Sequence, residues 1–410
     1  MRVLVIGAGA VGLSSAYFLA AEGADVTVID MRGIGGGASR RNAGWVVPSM
    51  SGPVPAPGML LKSLRWMTKR SSPLYIKPTL DPGAVRFLLA MLRHCNPQDF
   101  EAGLRHLVAL NARTFELFDL LQDRGLVFEF HRQGLLQVFT DREALHEHAE
   151  ELRLSEELGA GPSAVLSAQA ARAEEPLLGH GVIGAISSPE ERYLDPDGFV
   201  DALADACQRM GVKIHAGERA TDAEFGTDGI VRAVRGQSRW EADAFVVATG
   251  AWTSDLALTF GQRLPVRAGK GYGFDVPTAG AVRTALYLAE AKVAVTPLEA
   301  RVRLSGTMEF GAMNEDVDPV RAGGILESAR RYLSGWPSGP TPRPWAGLRP
   351  MTPDGLPILG RLTHHHNVIV AAGHAMLGIT LAPVTGDIVR EMVLHDRTPS
   401  EATPFRPDRF

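Results

Sequence analysis

Gly7, Gly9 and Gly12 fall at the spacing G-x-G-x-x-G, with Ala10 and Val11 between the last two, and an acid, Asp30, follows about 20 residues on. These residue types at this spacing suit a dinucleotide. The first glycine permits a tight turn, the second lets the backbone approach a pyrophosphate, and the third lets a helix pack close to a strand. A helix that starts there offers free N–H groups and a positive dipole end to phosphate. A carboxylate at Asp30 suits a ribose 2′-hydroxyl and repels a 2′-phosphate, which argues against NADP. No Ser–His–Asp or Cys–His arrangement stands out, and no metal is expected. His364-His365-His366 point in different directions on a turn and read as a solvated loop.

The motif needs a strand before it and a helix after it. Val3-Leu4-Val5-Ile6 is a buried-strand run, Leu13 to Glu22 reads as a helix stopped by Gly23, and Val26 to Asp30 is the next strand. Val3 to Ala21 carries no charge after Arg2 and imitates a signal peptide, but its spaced glycines argue for a folded strand–turn–helix. Further on, Phe87 to Arg124 is helical, Gly134 to Thr140 a strand and Glu143 to Glu175 mostly helical. Phe199 to Met210 is an amphipathic helix. Phe245 to Gly250 and Val368 to Ala372 are buried strands. Residues 264–311 alternate in short runs, as in an antiparallel sheet. The fold class is therefore α/β (α+β overall): a Rossmann-like nucleotide domain with an inserted antiparallel-sheet substrate domain. The expected division is 1–85, 165–260 and 340–395 for the nucleotide domain, 86–164 and 261–339 for the substrate domain, and 396–410 as a C-terminal tail.

Composition narrows the partners. At 410 residues, two domains are expected. A net charge of −4 without a basic run gives nucleic acid no electrostatic support. Cys95 and Cys207 lie far apart, which suits a reducing, cytoplasmic setting. Two features favour FAD over NAD. There is no second G-x-G-x-x-G, and the strand ending in Ala248, Thr249 and Gly250 is of the kind that closes on a nucleotide seated by the first turn.

With these residues in view, the chain resembles the D-amino-acid oxidase superfamily of FAD enzymes, the bacterial D-amino-acid dehydrogenases more than glycine oxidase or sarcosine oxidase. The resemblance covers nearly the whole length. Ser39-Arg40-Arg41-Asn42-Ala43-Gly44 is similar to the dehydrogenases' S-x-x-N-A-G loop beside the flavin. Trp345 to Pro350 and on to Gly360 is similar to W-x-G-L-R-P…T-P-D-G-x-P-x-x-G. Gly373-His374, Gly378, Leu381-Ala382-Pro383 and Gly386 match G-H-x-x-x-G…L-A-P-x-x-G, an element that in the family carries a helix N-terminus toward the flavin pyrimidine ring. The resemblance implies further flavin contacts at Ala220, Leu377 and Thr380. It implies that Arg349 grips the substrate carboxylate, for which a guanidinium's paired bonds are suited. Tyr272, in a K-G-Y segment, is either a second carboxylate ligand or a core aromatic. His374 is either catalytic or, by preference, a structural hydrogen-bonding residue. Two departures matter. Met376 stands where glycine oxidase has Arg, and no Cys lies near Met351, where sarcosine oxidase attaches its flavin, so the FAD is expected to be non-covalent.

The implied reaction is hydride transfer from the α-carbon of a small amino acid to FAD, then hydrolysis of the imino acid to keto acid and ammonia. The electron acceptor is a quinone, with O₂ as the alternative for a glycine, sarcosine or cyclic imino acid oxidase. Met59 to Ile76 alternates apolar groups with Lys62, Arg65, Lys69 and Arg70. It reads either as a peripheral contact with the inner face of the cytoplasmic membrane or as an ordinary surface helix or lid. The reading from another class, a non-catalytic FAD-binding subunit, has no use for Arg349.

Overall fold

The computed structural model describes residues 1–58, 72–77, 80–277, 282–311, 313–334, 336 and 342–410. A six-stranded sheet runs in the order Lys213–Ala216, Asp25–Asp30, Arg2–Ile6, Ala244–Val247, Val368–Ala372, Ile358–Arg361. All neighbours are parallel except the last pair. The first strand is buried on both faces. Val3 and Val5 join one core with the helices, while Leu4 and Ile6 join another with Phe245, Val247 and Phe260. That is why it reads as an unbroken apolar run rather than an alternation. Helix Ala10–Ala21 follows the turn and packs on helices Pro196–Arg209 and Ala382–His395.

A nine-stranded sheet forms the second layer, in the order Trp345–Met351, Arg267–Val276, Val302–Phe310, Val293–Pro297, Ala285–Leu288, Leu135–Phe139, Gly184–Ser188, Ala164–Ser167, with Leu74–Ile76 beside Val302–Phe310. Helix Pro319–Tyr332 covers it through Ala322, Ile325, Leu326 and Ala329.

The sheets redraw the expected division. Ala164–Ser167 is a strand where a helix was expected, and with Gly184–Ser188 and Trp345–Met351 it belongs to the second sheet, because each finds its hydrogen-bonding partner there. Residues 86–164 are likewise divided. Leu107, Leu110, Leu117, Phe118 and Leu121 of the helices Pro97–Asn111 and Thr114–Asp123 pack into the nucleotide-side core with Phe199. The segment 396–410 is docked. Phe405 is fully buried, and Arg409 pairs with Asp354 at 2.8 Å. Among the described residues no helix is long and apolar enough to cross a membrane. Of the basic segment 59–76, residues 59–71 lie outside the described residues, and its end, Leu74–Ile76, is a strand.

Candidate active site

The turn Gly7–Gly12 is built by close approach. Gly7 has φ +115°, and a Cβ there would lie 2.3 Å from the Ala248 carbonyl oxygen. A Cβ on Gly12 would lie 1.9 Å from the Gly7 carbonyl oxygen, so the helix sits directly on the turn. Gly9, the N-cap, supplies no side-chain bond, and the helix has no acid in its first turn. Its positive end is left for an anion. Ser39, from the following loop, accepts a bond from Ala10 N at 2.9 Å. Asp30 is held by three backbone donors, Ala8 N at 2.8 Å, Arg32 N at 2.7 Å and Gly33 N at 2.9 Å. A carboxylate has about four lone-pair sites, so one remains for a ribose hydroxyl.

A continuous cavity of about 760 Å³ starts here. Gly7, Gly9, Ala10, Val11 and Asp30 line one end, with Ala220, Thr249 and Gly250 opposite. It passes Ser39, Asn42, Ala43 and Gly44, then Leu377 and Gly378, and ends against the nine-stranded sheet at Arg349. Its volume, open helix end and ribose acid fit an FAD. Asn42 shapes the loop, donating to Ala38 O and Ser39 O and accepting from Gly44 N. His374 is buried against Thr385, 3.0 Å away, and burial pulls its pKa down to about 4, so the imidazole is neutral.

Four expected cofactor residues stand behind the wall rather than on it. Gly12 is packed under the turn, and Gly373 lies against Thr352. Thr380 donates to Trp45 O and accepts from Val47 N. Arg40 turns away to Asp197 and Asp201, pinning the loop to helix Pro196–Arg209; its neighbour Arg41 lines the cavity instead.

Arg349 lies on strand Trp345–Met351, facing the cavity. Its guanidinium donates to Thr307 O at 2.8 Å, and among the described residues no carboxylate pairs with it. Desolvation pulls its pKa down to about 10. Strand period two explains why it fits there. Lys270 and Tyr272 leave the neighbouring strand on one face, where Tyr272 donates to Glu309 at 2.7 Å and Lys270 lies 3.4 Å from Glu309. Gly271 faces the other way, and a Cβ on it would fall 2.2 Å from Arg349 Nη1. The K-G-Y segment therefore contributes its glycine to the site. Tyr272 is fully buried in the second core and away from the cavity, which is the core-aromatic alternative.

A bulge completes this end. Between Lys270 and Tyr272 the register of the pair slips at Thr307, which takes φ +61°, a strained conformation for a β-branched residue. The strain aims the Thr307 carbonyl at Arg349. Its hydroxyl, buried and without a partner, belongs to the cavity lining. Sequence reasoning quoted Arg41 and Gly271 within their motifs without giving them these places, and missed Thr307, Gln137, His148 and Lys292 on the cavity wall. The alternation Gly269, Gly271, Gly273 was the one legible signal, a strand face kept bare for its neighbour's side chains.

Residues 2–392 match the family model described as FAD dependent oxidoreductase. A D-amino acid dehydrogenase of Methylobacterium nodulans is 34% identical, over 96% of this chain and 95% of that one. One of Rhizorhabdus wittichii is 32% identical over 100% of both. Among solved structures, glycine oxidase from Geobacillus kaustophilus superposes with a TM-score of 0.78 at 22% identity, covering 100% of this chain and 99% of that one. L-proline dehydrogenase from P. horikoshii superposes with a TM-score of 0.78 at 19% identity, covering 100% and 97%. These two likenesses concern the fold alone. With a nucleotide turn, an FAD-sized cavity and a family match over nearly its full length, the chain belongs to the FAD-dependent oxidoreductase family.

Proposed function

We propose that this protein oxidises a small D-amino acid to its keto acid and ammonia, with a non-covalent FAD. The observation that carries the reading is Arg349, a desolvated cation that lines the cavity without a carboxylate of its own. A desolvated charge without a counter-ion is costly, and a substrate α-carboxylate would relieve that cost. The names of the full-length relatives supply the amino acid and its configuration.

When bound, FAD supplies the chemistry by accepting the hydride from Cα. The chain's residues do the rest. The Gly7–Gly12 turn and its helix end hold the pyrophosphate, Asp30 the ribose, and the loops 39–44 and 377–378 the ring. Arg349 fixes two carboxylate oxygens and so fixes Cα. The Thr307 carbonyl fixes the plane of the guanidinium. Neutral His374, committed to Thr385, is structural. Met50, Leu152 and Phe310 on the cavity wall keep water from the reacting carbon. The substrate amine gives its extra proton to solvent. Buried Met351 leaves no nucleophile for a covalent flavin link, so acid should release the flavin.

Electrons leave to a quinone, and a membrane-surface contact through the basic segment 62–70, which lies outside the described residues, is the reading to test against a surface helix or lid. Vesicle co-sedimentation that is absent at low salt would remove that contact. The test of the reaction is an anaerobic screen of D- and L-amino acids, glycine, sarcosine and hydroxyproline isomers, following loss of flavin colour. It is then repeated with O₂ and with a quinone dye. Preferential bleaching by D-amino acids is the expected result. Bleaching by L-amino acids or by none would overturn the reading.

A further inference from the structure

The wall beside Arg349 carries a second set of donors that carboxylate binding does not use. Lys292 lines the cavity from a residue with φ +53°, just before strand Val293–Pro297. Its ammonium lies 5.5 Å from the Tyr287 ring centroid and 3.4 Å from His148 Nε2. His148 Nδ1 donates to Ala144 O at 3.0 Å, so Nε2 presents its lone pair to the ammonium. Burial and the Lys292 charge pull the His148 pKa down to about 4, which keeps that ring neutral. No carboxylate among the described residues pairs with Lys292. Glu151, on the same wall, has an interaction of its own, and Glu290 is taken by Thr140 N, Asp141 N and the Tyr332 hydroxyl.

Gln137 stands across from Tyr287 in the register of the parallel pair. It is almost wholly buried, it lines the cavity, and its Nε2 has no partner. A buried donor left unpaired costs free energy that an acceptor would recover. These groups are also close to the clamp. The Lys292 carbonyl oxygen lies 3.1 Å from where a Gly306 Cβ would be, and Arg349 bonds the carbonyl of the next residue, Thr307. Tyr287 stands between the two cations: its ring takes the Lys292 ammonium at 5.5 Å, and Tyr287 also acts electrostatically on Arg349.

We propose that Lys292 and Gln137 form a subsite for an oxygen on the substrate's side chain, so that the preferred amino acids carry a hydrogen-bond acceptor there. This rests on the amino-acid reading of the same cavity. A plain aliphatic side chain would leave the Gln137 amide unpaired and the ammonium without a counter-charge, whereas a carboxylate would pair with the ammonium and a carboxamide with either group.

The test is anaerobic flavin reduction by the holoenzyme with D-glutamate, D-glutamine and D-leucine. Both oxygen-bearing substrates should exceed D-leucine in kcat/KM by roughly tenfold or more. A gain for D-glutamate alone would still support the subsite and assign it to charge. Lys292→Met should cut the D-glutamate to D-leucine ratio by about tenfold, Lys292→Arg should restore most of it, and Gln137→Leu should cut the D-glutamine to D-leucine ratio. D-leucine as the best wild-type substrate would overturn the subsite while leaving D-amino-acid oxidation intact. So would Lys292→Met slowing all three equally, since Lys292 would then serve the α-carboxylate or the fold. Failure of every D-amino acid to bleach the flavin would overturn both readings.

Discussion

The two ends of the cavity are built by opposite means. At the nucleotide end, function lies in the backbone. N–H groups face the cavity, and glycines let strands and helix come within contact. At the substrate end, function lies in side chains: Arg349 and Gln137 reach the cavity from two strands of one sheet and Lys292 from the turn before a third, and Thr307 is strained to aim a carbonyl. The first end tolerates no added atom, and the second tolerates no misplaced charge. Binding a constant group, the dinucleotide, calls for a rigid backbone mould, whereas holding a variable substrate calls for side chains on a stiff sheet.

Substitutions separate the two ends. The largest effect is expected from Gly12→Ala, whose Cβ would fall 1.9 Å from backbone oxygen. The product should be colourless and fail to take up added FAD. A yellow protein of unchanged Tm would mean that the turn is not a mould. Gly271→Ala comes next, since its Cβ displaces the guanidinium. It should keep FAD yet lose on the order of 10²-fold in flavin reduction by a D-amino acid. Loss of FAD in this variant would blur the division between the ends. Asp30→Asn should raise the FAD dissociation constant roughly tenfold. Its flavin reduction at saturating substrate should match that of the wild type once it is loaded with FAD, and a change in substrate preference would contradict the separation.

The smallest effect concerns pH. Glu191 is buried behind the cavity, accepts from Ser49 N at 2.9 Å with one oxygen and has no partner for the other; desolvation raises its pKa from 4.5 to about 7. The unfolded chain gives up this proton first, so the carboxyl should make stability fall as pH rises from about 4.5 to about 7, with no further loss above. Glu191→Gln should flatten that fall in Tm, and a slope that survives the substitution would assign it to another group.

How much of this was legible follows the same division. The nucleotide end is written within one βαβ unit, so Gly7, Gly9, Gly12 and Asp30 are near in sequence and close in space. The substrate end is assembled from residues 137 to 349, and only register brings them together. Arg349 was legible because a motif surrounds it. Lys292 and Gln137 were not, because no local pattern tells a cavity lysine from a surface one, or a buried glutamine facing a cavity from one inside a sheet. Tyr272 was ambiguous until the strand's facing was known, and the strand at 164–167 was hidden because it depends on a partner at 184–188.

The central claim is that Arg349 holds the substrate by its carboxylate. Arg349→Lys keeps a cation but loses the rigid fork. Stopped-flow flavin reduction should be compared in both proteins, at saturating concentrations of a D-amino acid and of the matching amine without the carboxylate. FAD should be retained, with a loss on the order of 10²-fold with the amino acid and little change with the amine. Equal slowing of both substrates, or of neither, would contradict it.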